Sequence, residues 1–598
     1  MLNNLNGGKI EKISVDLKID KDFKIIDYKA NGSVKKINVK ISDNILIQDI
    51  NLNFISDKNL TLINSINANY AGILVSNGSI NLQQKKDIEI EGKFDSHFNF
   101  KENEINKLFT ETNIKFFEKN KINIQGNLLH EFNLKINENF KIIDYDYKSS
   151  GNISESQIIL KDSFKSNFIE KPINKISFSK TKLEINFNKK NQNLLMFDGL
   201  YSTGDSGYKK FKINHDLNKK NPNYFIDFNL TENLFFELIN FTANSKNESN
   251  IKSELSIKNN NFIFKYINFA EDKNSISING LKINNKGEIE MISNINVLTF
   301  NNNNENNNFK INFRDKISVV GEKYDSTYLL KLISGKNKIN PLKNFSKDIE
   351  IKLKSLMTKS QIPLSDFNLI GVIEKGKFNK LSAKSEFAKK KYMDISLKHD
   401  ANNKKILQIY SDLPQVLLAD YKFFEGIKGG KLLYNSVIDE TGSVSKLTIE
   451  NFKVLKAPAF ATLLTLADLR GFADLLSGEG MSFDYLEINF KDDQDLTTVE
   501  EILALGKSVS LQMDGYVEKK TGLISLRGTL VPAKMLNSLI SKIPIVGNIL
   551  VGNKVGEGVF GVSFKIKGLP GDIKTSINPV KTLTPRFITR VLEKMKKN

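Results

Sequence analysis

The chain has 598 residues, 40% hydrophobic and 26% charged, which is the composition of a folding chain and not of a disordered one. It contains no cysteine, which excludes disulfides, thiolate catalysis and Cys-ligated metals and leaves the compartment open. The formal net charge is +19, from 87 Lys+Arg against 68 Asp+Glu. That excess suits an anionic partner such as nucleic acid or an acidic membrane surface, and it equally suits the lavish Lys, Asn and Ile usage of an AT-biased genome.

Residues 1–8 carry neither a basic region nor an apolar core, so no signal peptide is expected from them. No run approaches the ~20 apolar residues that cross a bilayer as a helix. From there apolar residues recur at every second position, at Val15, Leu17 and Ile19, at Ile37, Val39 and Ile41, at Ile50, Leu52 and Phe54, and at Ile88 and Ile90. Lys, Asp, Asn and Ser fill the alternate positions, which is the signature of half-buried strands. Asn31-Gly32 and Asn77-Gly78 between such runs predict hairpin turns. The expectation is an antiparallel meander with one apolar and one polar face.

A repeat runs through this half. Leu17-Lys18-Ile19 with Phe23-Lys24-Ile25-Ile26-Asp27-Tyr28 recurs as Leu134-Lys135-Ile136 with Phe140-Lys141-Ile142-Ile143-Asp144-Tyr145, and a Gly-containing turn is expected after each copy, at Asn31-Gly32-Ser33 and Ser150-Gly151-Asn152. Residues 1–300 therefore form a repetitive β segment with an internal duplication. Residues 235–243 are ambiguous, and residues 301–308, rich in asparagine, predict a loop. Residues 301–450 form a continued β-groove segment in which alternation resumes after that loop, over 309–450, as at Ile349, Ile351 and Leu353, and Pro414 with Val416, Leu417 and Tyr421 predicts a short helix within 413–424.

Residues 451–598 change texture. Helices are predicted at 463–476, 533–541 and 586–597, and strands at Val509, Leu511 and Met513 and at Phe560, Val562, Phe564 and Ile566. In the last helix Thr584 can cap and Pro585 can open the first turn. Arg586 and Arg590 flank an apolar stripe of Phe587, Ile588, Val591, Leu592 and Met595. Such a helix fits an anionic bilayer surface, or simply the capped end of a sheet.

Catalytic signatures are missing. His97, His130, His215 and His399 stand apart in strand-like surroundings and are read as structural or solvated, with no paired metal spacing. Gly556-Glu557-Gly558-Val559-Phe560-Gly561 matches a dinucleotide fingerprint, but the alternation that follows predicts a strand where the fingerprint needs a helix. Asp492, Asp493 and Asp495 read as a solvated hairpin tip. The 41 Phe and 16 Tyr fall mainly on the apolar side of the alternation, so nucleic-acid stacking is not expected.

Residues 451–598 resemble the C-terminal region of AsmA-like proteins of the YhdP type, from Gram-negative bacteria. The resemblance rests on Phe452-Lys453-Val454 with Ala457-Pro458, Gly478-Glu479-Gly480-Met481-Ser482-Phe483 and Gly528-Thr529-Leu530-Val531-Pro532-Ala533. It continues through Leu536-Asn537, Ile543-Pro544-Ile545-Val546-Gly547-Asn548-Ile549-Leu550, Gly556-Glu557-Gly558, Asn578-Pro579 and Thr584-Pro585-Arg586. Over residues 1–450 only the β-repeat character agrees. The resemblance implies a mostly-β fold, a long antiparallel sheet curled into an elongated hydrophobic groove with a few short C-terminal helices. It implies a periplasmic, inner-membrane-associated protein that moves phospholipid toward the outer membrane and supports the permeability barrier. The family's N-terminal anchor is expected on an upstream segment or another polypeptide.

On this reading the protein is not an enzyme and needs no cofactor or metal, and its partners are phospholipids and an anionic membrane surface, not nucleic acid. Candidate groove residues are Val509, Leu511, Met513, Phe560, Val562, Phe564 and Ile566. Candidate membrane-contacting residues are Arg586, Phe587, Ile588, Arg590, Val591 and Leu592. Two alternatives stay open: a periplasmic β-scaffold that assists outer-membrane protein assembly by edge pairing, and a β-repeat adhesin.

Overall fold

The structure is a computed structural model. It describes residues 5–42, 45–102, 104–105, 120–190, 193–217, 223–328, 345–359, 362–387, 390–418, 426–455, 480–532, 560–569 and 572–582. The helices expected at 463–476, 533–541 and 586–597 lie outside these residues. The fold is mostly β. Among the described residues 33 strands belong to one mixed sheet, two more form a separate hairpin, and one α-helix is present. The chain divides into two compact units, residues 1–236 with 241–299, and residues 237–240 with 300–598.

The first unit holds β1 (Leu5–Asn6), β2 (Lys9–Ile19), β3 (Ile25–Ser42), β4 (Ile45–Asp57), β5 (Leu60–Tyr70), β6 (Ile73–Gln84), β7 (Ile88–Phe100), β8 (Lys121–Ile136), β9 (Ile142–Phe164) and β10 (Ile173–Asn188). It continues with β11 (Leu194–Thr203), β12 (Lys209–Asp216), β13 (Asn223–Asn229), β14 (Leu234–Phe236), β15 (Phe241–Ala243), β16 (Asn250–Lys258), β17 (Asn261–Glu271), β18 (Asn274–Ile283), β19 (Ile289–Met291) and β20 (Asn294–Asn301). β1 and β2 lie end to end along one edge of β3 and β4 lies along the other. From β4 each strand pairs antiparallel with the next as far as β13, which then pairs with β16 and passes over the β14–β15 hairpin.

A row of bulges bends this sheet. Lys36, Asp49, Ser65 and Asn77, in the adjacent strands β3 to β6, all sit at φ between 51° and 57°, and the register shifts beside each of them. A bulge adds an unpaired residue, bends its strand and increases local twist, so bulges aligned across four strands fold the sheet along a line. Left-handed backbone is costly for side chains other than Gly and Asn/Asp, and asparagine amides offset part of that cost. Asn51 Nδ2 donates to Asp49 O at 3.0 Å, Asn67 Nδ2 to Ser65 O at 3.2 Å and Asn368 Nδ2 to Asp366 O at 2.9 Å, each from two residues beyond a left-handed bulge residue. Asn51 Oδ1 also accepts from Lys36 N at 3.1 Å and Asn38 Oδ1 from Asp49 N at 3.0 Å, tying neighbouring bulges together.

The duplicated segment forms two matching hairpins. Asp20 Oδ1 accepts from Asp22 N and Lys24 N at 2.8 and 2.9 Å, and Asn137 Oδ1 accepts from Asn139 N and Lys141 N at 3.0 Å each. Phe23 and Phe140 take the left-handed position of each loop, at φ 59° and 55°. The same loop closes hairpins at Asn284 and Asp400.

The expected Asn-Gly turns are not turns. Asn31-Gly32 lies inside β3 and Asn77-Gly78 inside β6, and Gly151 of the second copy lies inside β9. Their glycines make room for the neighbouring strand: a Cβ on Gly32 would sit 2.7 Å from Lys12 O, one on Gly78 2.6 Å from Ile66 Cβ, and one on Gly151 2.0 Å from Asn127 O. Nor is the asparagine-rich stretch 301–308 a loop. Asn302 and Asn303, at φ 50° and 64°, make the two-residue type I′ turn between β20 and β21 (Asn304–Phe313). Within the second unit, Asn307 is fully buried, with Nδ2 donating to Ile239 O at 2.6 Å and Oδ1 accepting from Asp325 N at 2.9 Å.

The second unit continues with β22 (Ile317–Asp325), β23 (Lys347–Met357), β24 (Leu364–Glu374), β25 (Lys377–Phe387), β26 (Lys391–His399), β27 (Lys405–Ser411), α1 (Pro414–Leu418), β28 (Ile427–Ile438) and β29 (Ser443–Val454). After these come β30 (Met481–Asp492), β31 (Leu496–Gly506), β32 (Val509–Glu518), β33 (Ile524–Pro532), β34 (Phe560–Leu569) and β35 (Asp572–Thr582). β22 and β23 pair in parallel, and from β23 to β35 each strand pairs antiparallel with its neighbour. The short helix expected after Leu413 is α1, with Pro414 in its first turn and Ser411 Oγ accepting from Leu413 N at 3.1 Å. The hairpin tip expected at Asp492–Asp495 is present, with Asp493 Oδ1 accepting from Asp495 N and Leu496 N at 2.9 and 2.8 Å. β34 places a strand after the Gly556–Gly561 motif, so the helix that a dinucleotide fingerprint requires is not there.

The strand placement of Gly78 is directly testable. In a type I′ turn alanine here would cost stability through backbone strain; inside β6 the cost is steric, so Gly78→Ala is expected to lower stability by about 1–3 kcal/mol through overpacking against Ile66, read as a lower urea midpoint at unchanged m, and Ile66→Ala in the same chain is expected to relieve part of that loss.

Candidate functional site

The first unit holds an apolar cavity of about 1190 Å³, somewhat above the ~300–1000 Å³ range of ligand pockets. Its wall takes residues from every strand between β4 and β12, from Ile45 and Ile47 at one end to Phe211 and Ile213 at the other. Nine successive strands of a flat sheet would extend about 40 Å, at ~4.8 Å per strand, so converging on one cavity requires the sheet to curl into a trough. The alternation supplies the lining: Phe94, Phe98 and Phe100 of β7 face Ile122, Ile124 and Leu128 of β8, and then Ile153 and Ile158 of β9. Part of that wall, Phe98, Phe100, Ile122, Ile153 and Leu183, is a buried cluster.

The same face runs on to the edge of the sheet. Phe54 of β4 pairs with Gly32 of β3 and Gly32 with Ile13 of β2; likewise Leu52 pairs with Val34 and Val34 with Ile10. All eleven residues of β2 are exposed, including Ile10, Ile13, Val15, Leu17 and Ile19. Among the described residues β2 pairs only with β3, so its outer N–H and C=O groups and its apolar side chains are both open at this edge.

Among the described residues Lys93 is the only charged side chain lining the cavity, and its ammonium lies 3.1 Å from a Glu131 carboxylate oxygen. A polar strip interrupts the apolar wall. Ser96 Oγ lies 2.7 Å from His130 Nε2, and His130 Nδ1 lies 2.8 Å from the Tyr147 hydroxyl. The imidazole stacks on Phe94 with ring centroids 4.4 Å apart. Burial lowers the His130 pKa, with the Asp95 carboxylate acting weakly in the other direction, and burial raises that of Tyr147. The imidazole is thereby held neutral in apolar surroundings. The arrangement provides hydrogen bonding without charge. Among the described residues no cluster of His, Asp and Glu could hold a metal ion.

The seven candidate groove residues fall in the second unit. Register places Leu511, Leu530 and Val562 in one row, and Met513, Gly528 and Phe564 in the next. Val509, Leu511, Met513 and Phe564 are buried members of one core cluster that also holds Ile449, Phe483 and Leu530. Ile566 packs against that cluster and Val562 is half-buried. They are thus brought onto one apolar face, in a packed core and not along the cavity wall. Phe560 opens β34, and its side chain lies outside the described residues, as do Arg586, Phe587, Ile588, Arg590, Val591 and Leu592.

Sequence reasoning missed the polar strip because it treated the histidines one at a time. The signal was present in parity: Ile122, Ile124, Leu128, His130 and Phe132 share the apolar register of β8, where a histidine must find partners. No protein-family model matches the chain, and no curated protein matches it.

His130 makes stability depend on pH. Its folded pKa lies below the usual ~6.5, so the unfolded chain binds the proton first and stability falls as pH drops through and below that value. His130→Phe is expected to flatten the dependence of the thermal midpoint on pH between about 7 and 5, measured against the parent protein.

Proposed function

We propose that this chain is a non-enzymatic lipid carrier whose curled sheet holds acyl chains in its apolar trough while the head group stays in water. It moves phospholipid between the inner and outer membranes of a Gram-negative envelope and so supports the outer-membrane barrier. The observation that carries this reading is the cavity of the first unit, large, walled by Ile, Phe and Leu and continuous with the apolar face of β2. Water against such a wall is unfavourable, by roughly 25 cal/mol for each Å² of apolar surface, and a hydrocarbon chain relieves that cost. Passage along a trough needs no bond making, only sites of similar affinity. The resemblance of residues 451–598 to YhdP-type AsmA-like proteins supports the same assignment, with the periplasm as the compartment and the inner membrane as the attachment.

The open edge of β2 favours a second reading, a scaffold that pairs with a strand of another protein. A photo-crosslinker at Asp16, in the middle of β2, would separate the two. Trapping of outer-membrane protein strands by lipid-free protein supports the scaffold; co-purifying phospholipid without such adducts supports the carrier.

The carrier reading predicts phospholipid in organic extracts of gently purified protein and faster transfer of a fluorescent phospholipid between vesicles. Ile63→Asp, in the cavity wall and half-buried, is expected to reduce transfer at least tenfold with little change in melting temperature. Leu511→Asp, by contrast, buries a carboxylate in a packed core and is expected to cost the fold itself. Lipid-free protein, or transfer indifferent to Ile63→Asp, would count against the carrier.

A further inference from the structure

The polar strip of the trough has a surplus of hydrogen-bond donors. Ser96, His130 and Tyr147 together carry three polar hydrogens, one on each hydroxyl and one on the neutral imidazole, and two hydrogen bonds join them. Whichever tautomer His130 adopts, one hydroxyl hydrogen is left over. If Nδ1 carries the proton, the spare hydrogen is on Tyr147; if Nε2 carries it, the spare is on Ser96. Ser149, buried across the ladder from His130, adds one hydroxyl hydrogen and at most one bond, so the surplus persists. Further along the wall Ser156 is 5% exposed, lines the cavity and has no partner for its hydroxyl among the described residues. A donor facing hydrocarbon with no acceptor is costly, and buried hydroxyls are ordinarily satisfied.

We propose that this strip is a binding subsite for the carbonyl group of an acyl chain, taking a fatty acid in its protonated form or a fatty ester with the carbonyl oxygen accepting the surplus hydroxyl hydrogen. The inference rests on the lipid-carrier reading and narrows its ligand. A carbonyl supplies acceptors only, which is what a site with donors in excess lacks. The neutral imidazole offers no counter-charge to a phosphate or an ionised carboxylate, so charged groups remain outside the strip. The Phe94 ring stacked on His130 fixes the imidazole plane and keeps the chain of hydrogen bonds directed across the wall.

The test compares equilibrium binding of three probes, hexadecane, methyl palmitate and palmitic acid, to the full chain and to the double variant Ser96→Ala/Tyr147→Phe, which removes both hydroxyls that can carry the spare hydrogen. The double variant is expected to weaken methyl palmitate roughly 5- to 10-fold, the worth of one hydrogen bond, and to leave hexadecane within about twofold. Palmitic acid that follows the ester at pH 5 but not at pH 8 identifies the protonated acid as an equal ligand; loss for the ester alone restricts the subsite to esters. Equal changes for ester and hydrocarbon, or none for either, overturn the subsite while the carrier reading stands, since hexadecane still binds. Failure of all three probes to bind the parent protein overturns both. The double variant removes two oxygen atoms and leaves the imidazole in place, and an unchanged melting temperature establishes that its effect is on binding.

Discussion

The architecture depends on bending an open β-sheet without breaking its ladder. Lys36, Asp49, Ser65 and Asn77 each insert a left-handed residue at the same level of adjacent strands, and amides of Asn38 and Asn51 bind the backbone of the neighbouring bulge. Without such insertions, the alternation of apolar and polar residues would specify a twisted sheet with one greasy face and no enclosure. With them the greasy face turns inward on itself. The abundance of asparagine therefore has a structural use beyond compositional bias: it is the side chain that can satisfy a bulge carbonyl from two residues away.

The two units use the same apolar alternation for different ends. In the second unit Leu, Ile, Met and Phe from β28 to β34 fill their interior, and β31 is buried on both faces, with Glu501 and Leu503 on one and Ile502 and Ala504 on the other. In the first unit many wall residues stay half-buried around open space. Packed hydrocarbon holds a fold together; unfilled hydrocarbon invites a ligand. The polar strip at His130 lies in the second kind of environment, where each unmade hydrogen bond is felt.

Much of this fold was legible in period-two alternation, because burial of one sheet face repeats with the side-chain period. The strands around Leu17, Ile50, Ile349, Leu511 and Phe564 follow it directly. Turn chemistry was less legible. Asn31-Gly32 and Asn77-Gly78 resemble type I′ turns, but tertiary packing placed both inside strands, where glycine yields space to Phe54 and Ile66; the true turn, Asn302-Asn303, lay in a stretch taken for a loop. The site was hardly legible at all. Residues far apart in sequence, such as Ile45 and Ile213, line one cavity only because the sheet curls, and bulge positions leave no strong local signature. The strip at Ser96, His130 and Tyr147 needs three strands in register before its hydrogen bonds exist.

The placement of the two Asn-Gly pairs also bears on the chemical lifetime of the protein. In a flexible chain the nitrogen after an asparagine attacks the side-chain amide, closes a succinimide and leaves aspartate or isoaspartate, and glycine makes this fastest because nothing obstructs the approach. At Asn31-Gly32, paired on both sides inside β3 and hemmed in by Lys12 and Phe54, the ladder restrains that nitrogen from attack, whereas Asn77 sits left-handed at its bulge and is not held in the same way. Isoaspartate at Asn31 would accumulate in step with local opening of β3, so the age of a sample would record how often this edge of the trough comes apart.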